Sequence, residues 1–236
     1  MNHAESEKAP ASPGTLASPG TPASPGTPAS SRQRSTAEHR GWTSRGYLPH
    51  FDSPHVVQSV TFRLADAVPQ HVIANWREEL KLSGGETASD PRAIELRKRI
   101  EKYEDAGYGA CYLRDLRVAE VVQKALLHFD GTRYRLIAWC VMPNHVHVLF
   151  ELLPGFPLAA VLHSWKSFTA NEANRLLGRS GTFWQREYYD RFIRDERHLK
   201  AAIEYIENNP VKAGLVRSLQ EWRFSSAYAR SGHCGN

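Results

Sequence analysis

The chain has 236 residues, with 30 Lys and Arg against 25 Asp and Glu, a formal charge of +5 and a pI near 9.2. No stretch approaches the roughly eighteen consecutive apolar residues of a membrane helix, and the polar N-terminus has no apolar signal core. Cys111, Cys140 and Cys234 are far apart and form no C-x-x-C pair, which argues against a disulfide scaffold or cysteine-based zinc site and fits a reducing cytoplasm.

Residues 1–44 read as a disordered tail. Ala-Ser-Pro-Gly-Thr recurs at Ala11–Thr15, Ala17–Thr21 and Ala23–Thr27, and such a stretch has almost no apolar bulk to bury. Residues 1–40 carry Lys8, Arg32, Arg34 and Arg40 against Glu5, Glu7 and Glu38, so +1 of the charge sits there and +4 on the rest. A moderately basic folded part suggests an anionic partner, nucleic acid first.

Folded structure is expected over residues 45–228, with 229–236 as a short C-terminal tail. Val56–Leu64 alternates, Gln58 aside, with Val60, Phe62 and Leu64 on one face and Ser59, Thr61 and Arg63 on the other: a strand with one buried face. Gln70–Leu82 reads as a helix ended by Ser83-Gly84-Gly85. Asp90-Pro91 opens another that runs to Asp105, with Asp as N-cap and Pro at the first helical position. Leu113–Phe129 carries a helical apolar stripe. Tyr134–Met142 and His145–Leu152 form a hairpin around Pro143-Asn144. Leu158–Leu177 is an amphipathic helix, Phe183–Ile193 a strand, and Arg197–Asn208 a helix ending before Pro210. This order predicts an α+β fold, a ferredoxin-like antiparallel sheet with helices packed on it. The segment Leu82–Gly109 is long for so compact a unit and has no function legible in it.

His145 and His147 alternate on a predicted strand, so both imidazoles face one way while Val146, Val148 and Phe150 face the other. Two imidazoles held so can share one divalent ion, or be two half-exposed histidines. A histidine-triad hydrolase would need a third alternating histidine, where this chain has Leu149. In the last predicted helix Tyr205 and Asn209 stand at i and i+4, on one face. An amide oxygen suits Mg2+ or Mn2+, and a phenol beside such an ion can attack a phosphodiester; alternatively Tyr205 packs against the sheet. Basic and aromatic residues interleave at Trp165-Lys166, Trp184-Gln185-Arg186, Arg191 and Arg194. They are candidates to neutralise phosphates and stack bases, or a solvated face over an aromatic core.

The run Trp139-Cys-Val-Met-Pro-Asn-His-Val-His-Val-Leu resembles the metal-binding strand of the histidine–hydrophobic–histidine (HUH) endonucleases. Phe183-Trp-Gln-Arg-Glu-Tyr-Tyr-Asp-Arg and Tyr205-Ile-Glu-Asn-Asn-Pro-Val-Lys-Ala-Gly-Leu-Val resemble later motifs of one branch, the REP-associated tyrosine transposases, related to single-tyrosine insertion-sequence transposases. The resemblance spans roughly Arg45 to Tyr228. It implies a metal-dependent single-strand DNA endonuclease and strand transferase that acts on hairpin-forming repeats through a covalent 5′-phosphotyrosine. Carried over, His145 and His147 hold Mg2+ or Mn2+, Tyr205 is the nucleophile, and Asn209 stands where the insertion-sequence relatives have a glutamine ligand. Asparagine is one methylene shorter, so ligation would need a closer helix or a bridging water. Tyr188 and Tyr189 are rival nucleophiles. Lys166, Arg186, Arg194, Trp184 and Arg45 are the expected DNA contacts. The expected setting is cytoplasmic and membrane-free, as monomer or homodimer. The alternatives are a non-cleaving, sequence-specific DNA-binding protein on the same fold, or a metallo-phosphodiesterase that uses water.

Overall fold

A computed structural model describes residues 41–44, 49–84, 86–87 and 89–232. The tail 1–40, Arg45 and Cys234 lie outside the described residues.

Strands β3 (Val57–Arg63), β4 (Tyr134–Val141), β5 (His145–Leu152) and β6 (Tyr189–Phe192) form a four-stranded sheet in the order β4-β5-β3-β6. All its pairings are antiparallel. This is the strand order of a ferredoxin-like unit, as the α+β reading anticipates. Helices α3 (Leu116–His128) and α4 (Leu158–Leu176) cover one face, where Val60, Phe62, Val146, Val148 and Phe150 meet Val122, Leu126, Leu162 and Trp165. Helix α5 (Glu196–Lys212) covers the other face through Ile206 against Ala138, Cys140, Met142 and Leu149. Strict alternation along β5 divides its side chains between the two cores. Among the described residues no helix is long and apolar enough to cross a membrane.

The segment between β3 and α3 holds α1 (Gln70–Glu79) and α2 (Pro91–Asp105), with a small core of their own around Val68, Ile73, Leu96 and Ile100. Asp90 caps α2 by accepting the Arg92 amide hydrogen, with Pro91 at the first position, as its sequence predicts. Gly109 anchors the end of this segment. It has φ +85°, and a Cβ there would stand 2.8 Å from the Asp66 carbonyl oxygen.

Four boundaries differ from expectation. A hairpin of β1 (Gly41–Ser44) and β2 (Pro49–Asp52) begins inside the stretch assigned to the tail; β2 is tied to the sheet by Phe51, whose ring lies 5.3 Å from that of Phe192. At the other end, α6 (Ser226–Arg230) runs past residue 228, and the Arg230 guanidinium pairs with the Glu207 carboxylate. Helix α5 does not stop before Pro210 but runs through it to Lys212. Proline removes one amide donor yet leaves the carbonyls of Asn209 and Pro210 free to accept from Ala213 and Leu215. Finally, the strand expected over Phe183–Ile193 is broken. Trp184 bridges Leu64, residues 186–188 bulge out, and regular pairing resumes only at Tyr189 opposite Thr61.

Candidate active site

Strand β5 delivers His145 and His147 to the α5 face, where they are almost wholly buried. Their Nε2 atoms lie 2.9 Å apart, with the rings nearly perpendicular at 86°. Burial above all, then each other's proximity and the Arg63 guanidinium, holds His145 well below the usual imidazole range. Burial, with Lys212 and Arg63, lowers His147 to about 3. Both rings are therefore neutral at pH 7, the state in which imidazole binds a metal.

Each imidazole has a partner behind it. The Asn144 side-chain oxygen lies 2.8 Å from His145 Nδ1, and the Thr61 hydroxyl 2.8 Å from His147 Nδ1. Thr61 stands directly opposite His147 in the β3–β5 pairing, and Arg63 opposite His145. Opposite residues share a sheet face, so Arg63 is buried beside the histidines. It pairs there with Glu104 of α2 at 2.9 Å. Burial raises the Glu104 carboxyl to about 7 in spite of this partner.

Helix α5 brings Tyr205, Asn209 and Lys212 to the same place. Positions i, i+4 and i+7 lie along one helix face. The Tyr205 ring meets that of His147 edge to face at 5.6 Å, and Lys212 Nζ stands 4.4 Å from the centre of the Tyr205 ring. Burial first, then the Glu101 carboxylate, pushes the Tyr205 phenol well above its ordinary value. Glu101 is itself raised by burial and by Asp105, with Lys212 and Arg97 opposing. Asn209 is fully buried, and neither its amide oxygen nor its nitrogen has a hydrogen bond of good geometry, although a looser side-chain hydrogen bond from Asn209 to Tyr205 lowers the phenol.

This donor set fits a small divalent cation. Two cis ligands of an octahedral ion, each about 2.1 Å from it, lie about 3 Å from each other, which the imidazole pair matches. An orphaned buried amide is costly unless something occupies it. Among the described residues no group of three or more His, Cys, Asp or Glu side chains is placed to hold a metal ion, so a third protein donor beside the two imidazoles would have to be of another type, such as the Asn209 amide.

Tyr189 is nearer to this site than the sequence suggests. It stands opposite Thr61 on the same sheet face, with the Arg97 guanidinium 5.5 Å from its ring centre and its phenol raised by burial. It is one strand farther from β5 than Thr61, and Tyr188 packs against the opposite core.

The expected DNA contacts divide. Trp184 is buried; its indole N–H donates to the Thr169 hydroxyl and its ring packs edge-on against Phe62 at 4.9 Å. It is a core residue and presents no face to a base. Lys166 donates to the carbonyls of Gln185 and Arg186 at 2.6 and 2.9 Å. It supplies the hydrogen bonds that the bulge at 186–188 leaves unmade, and burial lowers its ammonium to about 8. Arg186 and Arg194 are exposed. Arg45 lies outside the described residues. Between α4 and residues 181–188 runs a groove of about 490 Å3, lined by Lys166, Asn171, Asn174, Arg186 and Tyr188 among others.

Residues missed in the sequence include Thr61, Arg63, Glu101, Glu104, Asn144 and Lys212. Lys212 had a signal, since it follows Tyr205 by seven on a helix. Thr61 and Arg63 had half of one, in the polar face of an alternating strand. Nothing in the sequence shows that the carboxylates of α2 would reach this site.

The family described as Transposase IS200 like matches residues 114–209. A Haemophilus influenzae (strain Rd) protein, provisionally named a REP-associated tyrosine transposase, is 30% identical over 103 residues, covering 39% of this chain and 58% of the relative. The REP-associated tyrosine transposase of Escherichia coli (strain K12) is 27% identical over 108 residues, 45% of this chain and 63% of its own length. The matches thus span less than two thirds of these relatives. A solved structure of a REP-associated tyrosine transposase bound to a REP hairpin aligns over 85% of this chain and 88% of its own at 17% identity, with a TM-score of 0.47. Residues 114–209, which include both histidines, Tyr205 and Asn209, match the family described as Transposase IS200 like, and the resemblance to the REP-associated tyrosine transposases read from the motifs holds.

Proposed function

We propose that this chain is a divalent-metal-dependent DNA endonuclease and strand transferase whose nucleophile is Tyr205. The observation that carries this reading is the convergence of a neutral imidazole pair, an orphaned amide and a tyrosine on one buried sheet face. His145, His147 and Asn209 would hold Mg2+ or Mn2+, which when bound withdraws charge from the scissile phosphate.

The residues of the chain do the rest. Tyr205 attacks phosphorus through its phenolic oxygen, forming the O–P bond as the bond to the 3′ oxygen breaks. The products are a 5′-phosphotyrosine and a free 3′ hydroxyl, which takes up a proton. The phenolic proton passes to Glu101, whose raised pKa lets it accept and later return it. Lys212, over the ring, offsets the phenolate charge. Attack by a 3′ hydroxyl on the phosphotyrosine reverses the step and rejoins a strand, so the same residues serve cleavage and transfer. The proposed substrate class is single-stranded DNA that folds into a hairpin; the similar proteins are named as REP-associated transposases.

The experiment uses a labelled hairpin oligonucleotide built from repeats of the source genome, incubated with Mn2+ and resolved on a denaturing protein gel. Wild type and Tyr189→Phe should give a covalent adduct, and Tyr205→Phe none. An adduct that survives Tyr205→Phe and disappears in Tyr189→Phe would move the nucleophile to β6. Turnover without adduct would point to attack by water.

A further inference from the structure

We propose that Asn144 and Thr61 are positioning residues that set the tautomers of the two histidines, Asn144 fixing His145 in its metal-ready form and Thr61 allowing His147 to switch into it. The inference rests on the metal-binding reading above and assigns a role to the inserted segment between β3 and α3.

One chain of contacts fixes where each hydrogen lies. The Asn144 amide nitrogen lies 3.1 Å from the Glu104 carbonyl oxygen and 3.0 Å from that of Tyr108. Both are main-chain acceptors, one in the last turn of the inserted helix α2 and one three residues past its end, so the NH2 group must face them and the orientation of the amide is settled. Its oxygen therefore faces His145 Nδ1 at 2.8 Å. That oxygen only accepts, so Nδ1 of His145 carries the hydrogen. A neutral ring has one N–H, and Nε2 of His145 is left with its lone pair.

The contact of 2.9 Å between the two Nε2 atoms then needs a hydrogen from the other side. It comes from His147, which without metal is the Nε2–H tautomer. Its Nδ1 is bare and accepts from the Thr61 hydroxyl at 2.8 Å. The two histidines are thus unequal. His145 is already a ligand. His147 becomes one when the hydrogen on Nε2 is lost and one is gained on Nδ1, with no net change in charge. Thr61 can serve both states, because a hydroxyl rotates from donor to acceptor, whereas Asn144 is held in one orientation by two carbonyls. Partners of this kind commonly change metal affinity by about 10–100-fold when removed.

The test reads tautomers directly. Long-range 1H–15N spectra of the full chain with 15N-labelled histidine, in chelator, should show His145 as Nδ1–H and His147 as Nε2–H. Adding Mg2+ should convert His147 to Nδ1–H and leave His145 unchanged. By calorimetry Thr61→Val, which keeps the shape of the side chain, should bind Mn2+ about 10–100-fold more weakly, and Thr61→Ser should restore it. Asn144→Ala should give a mixed His145 tautomer. His145 found as Nε2–H in chelator would overturn the proposal, as would Thr61→Val binding Mn2+ like wild type. A wild-type chain that binds no Mn2+ would sink the metal-binding reading itself, and the His147 switch with it.

Discussion

The Lys212 ammonium sits 4.4 Å from the centre of the Tyr205 ring, two turns along the same helix face. It lies there only because α5 continues through Pro210. Had the helix ended before the proline, the lysine would leave this face and the tyrosine would stand among carboxylates alone. Glu101, Asp105 and Glu104 all raise the phenol, in that order after burial. Lys212 lowers two of those carboxyls, Glu101 and Asp105, and its ammonium stands over the phenol ring.

Replacing Lys212 with Met should therefore move the Tyr205 phenol further up and slow cleavage by about 10–100-fold, the usual cost of losing one charge-stabilising group at a reacting centre. Lys212→Arg should recover part of the rate, since the charge is kept and its position shifts. Single-turnover adduct formation from pH 6 to 10 measures both effects. The Met variant should need a higher pH than wild type to reach a given rate. An unchanged pH profile would leave Lys212 as packing.

Asn209 makes the opposite kind of prediction, a gain in stability bound to a loss of function. Its two amide atoms are buried without hydrogen bonds of good geometry, and such a group costs about 1–3 kcal/mol that an apolar side chain of similar size does not. Asn209→Leu should leave the chelator-treated protein as stable as wild type or more so. It should also weaken Mn2+ binding and reduce adduct formation. Thermal melts with chelator and with Mn2+ separate the two: the ion should raise the wild-type Tm and raise that of the variant less. A variant destabilised in chelator and unchanged in Mn2+ affinity would mean that the amide is a packing group.

The buried pair of Arg63 and Glu104 should leave its mark on stability against pH. The Glu104 carboxyl moves from an ordinary 4.5 to about 7 on folding. A folded pKa above the unfolded one means that the folded chain holds more protons between these values. The contribution is complete below about 4.5 and is lost as pH rises through 7. The slope is at most about 1.4 kcal/mol per pH unit. Urea denaturation of wild type and Glu104→Gln in chelator, at half-unit steps from pH 5 to 8, isolates this group because the other titrations cancel in the difference. Wild-type stability relative to the variant should fall across that range. A flat difference would show that Arg63 keeps Glu104 ionised throughout.

These cases show what the sequence carries and what it does not. The alternation of His145, Val146, His147 and Val148 predicts both the strand and the face of each side chain, and the structure agrees. Tyr205, Asn209 and Lys212 are related by helical periodicity, so their common face is legible once the helix is extended past Pro210. The contribution of α2 is not legible. Periodicity locates the helix and Asp90 caps it, but the approach of Glu101 and Glu104 to β3 and α5 depends on how the insertion folds back through Gly109 and Asn144. Strand pairing across distant segments likewise sets Thr61 opposite both His147 and Tyr189.

The bulge at 186–188 decides which basic and aromatic residues remain free for DNA, and the two classes should fail differently. Trp184→Ala removes a fully packed indole and should destabilise by about 3–5 kcal/mol. Lys166→Met leaves the carbonyls of Gln185 and Arg186 without their donor and should loosen the same segment. In both, the loss of DNA binding should follow the loss of fold. Arg186→Ala should leave the melting curve unchanged, because its side chain is exposed and only its carbonyl is engaged. If its guanidinium meets a phosphate, hairpin affinity falls for all sequences alike, and the slope of log affinity against log salt drops by about 1. Fluorescence anisotropy at four salt concentrations reads that slope. An unchanged slope with Arg186→Ala would remove this residue from the DNA contacts and shift the search to Arg194, just past the other end of β6.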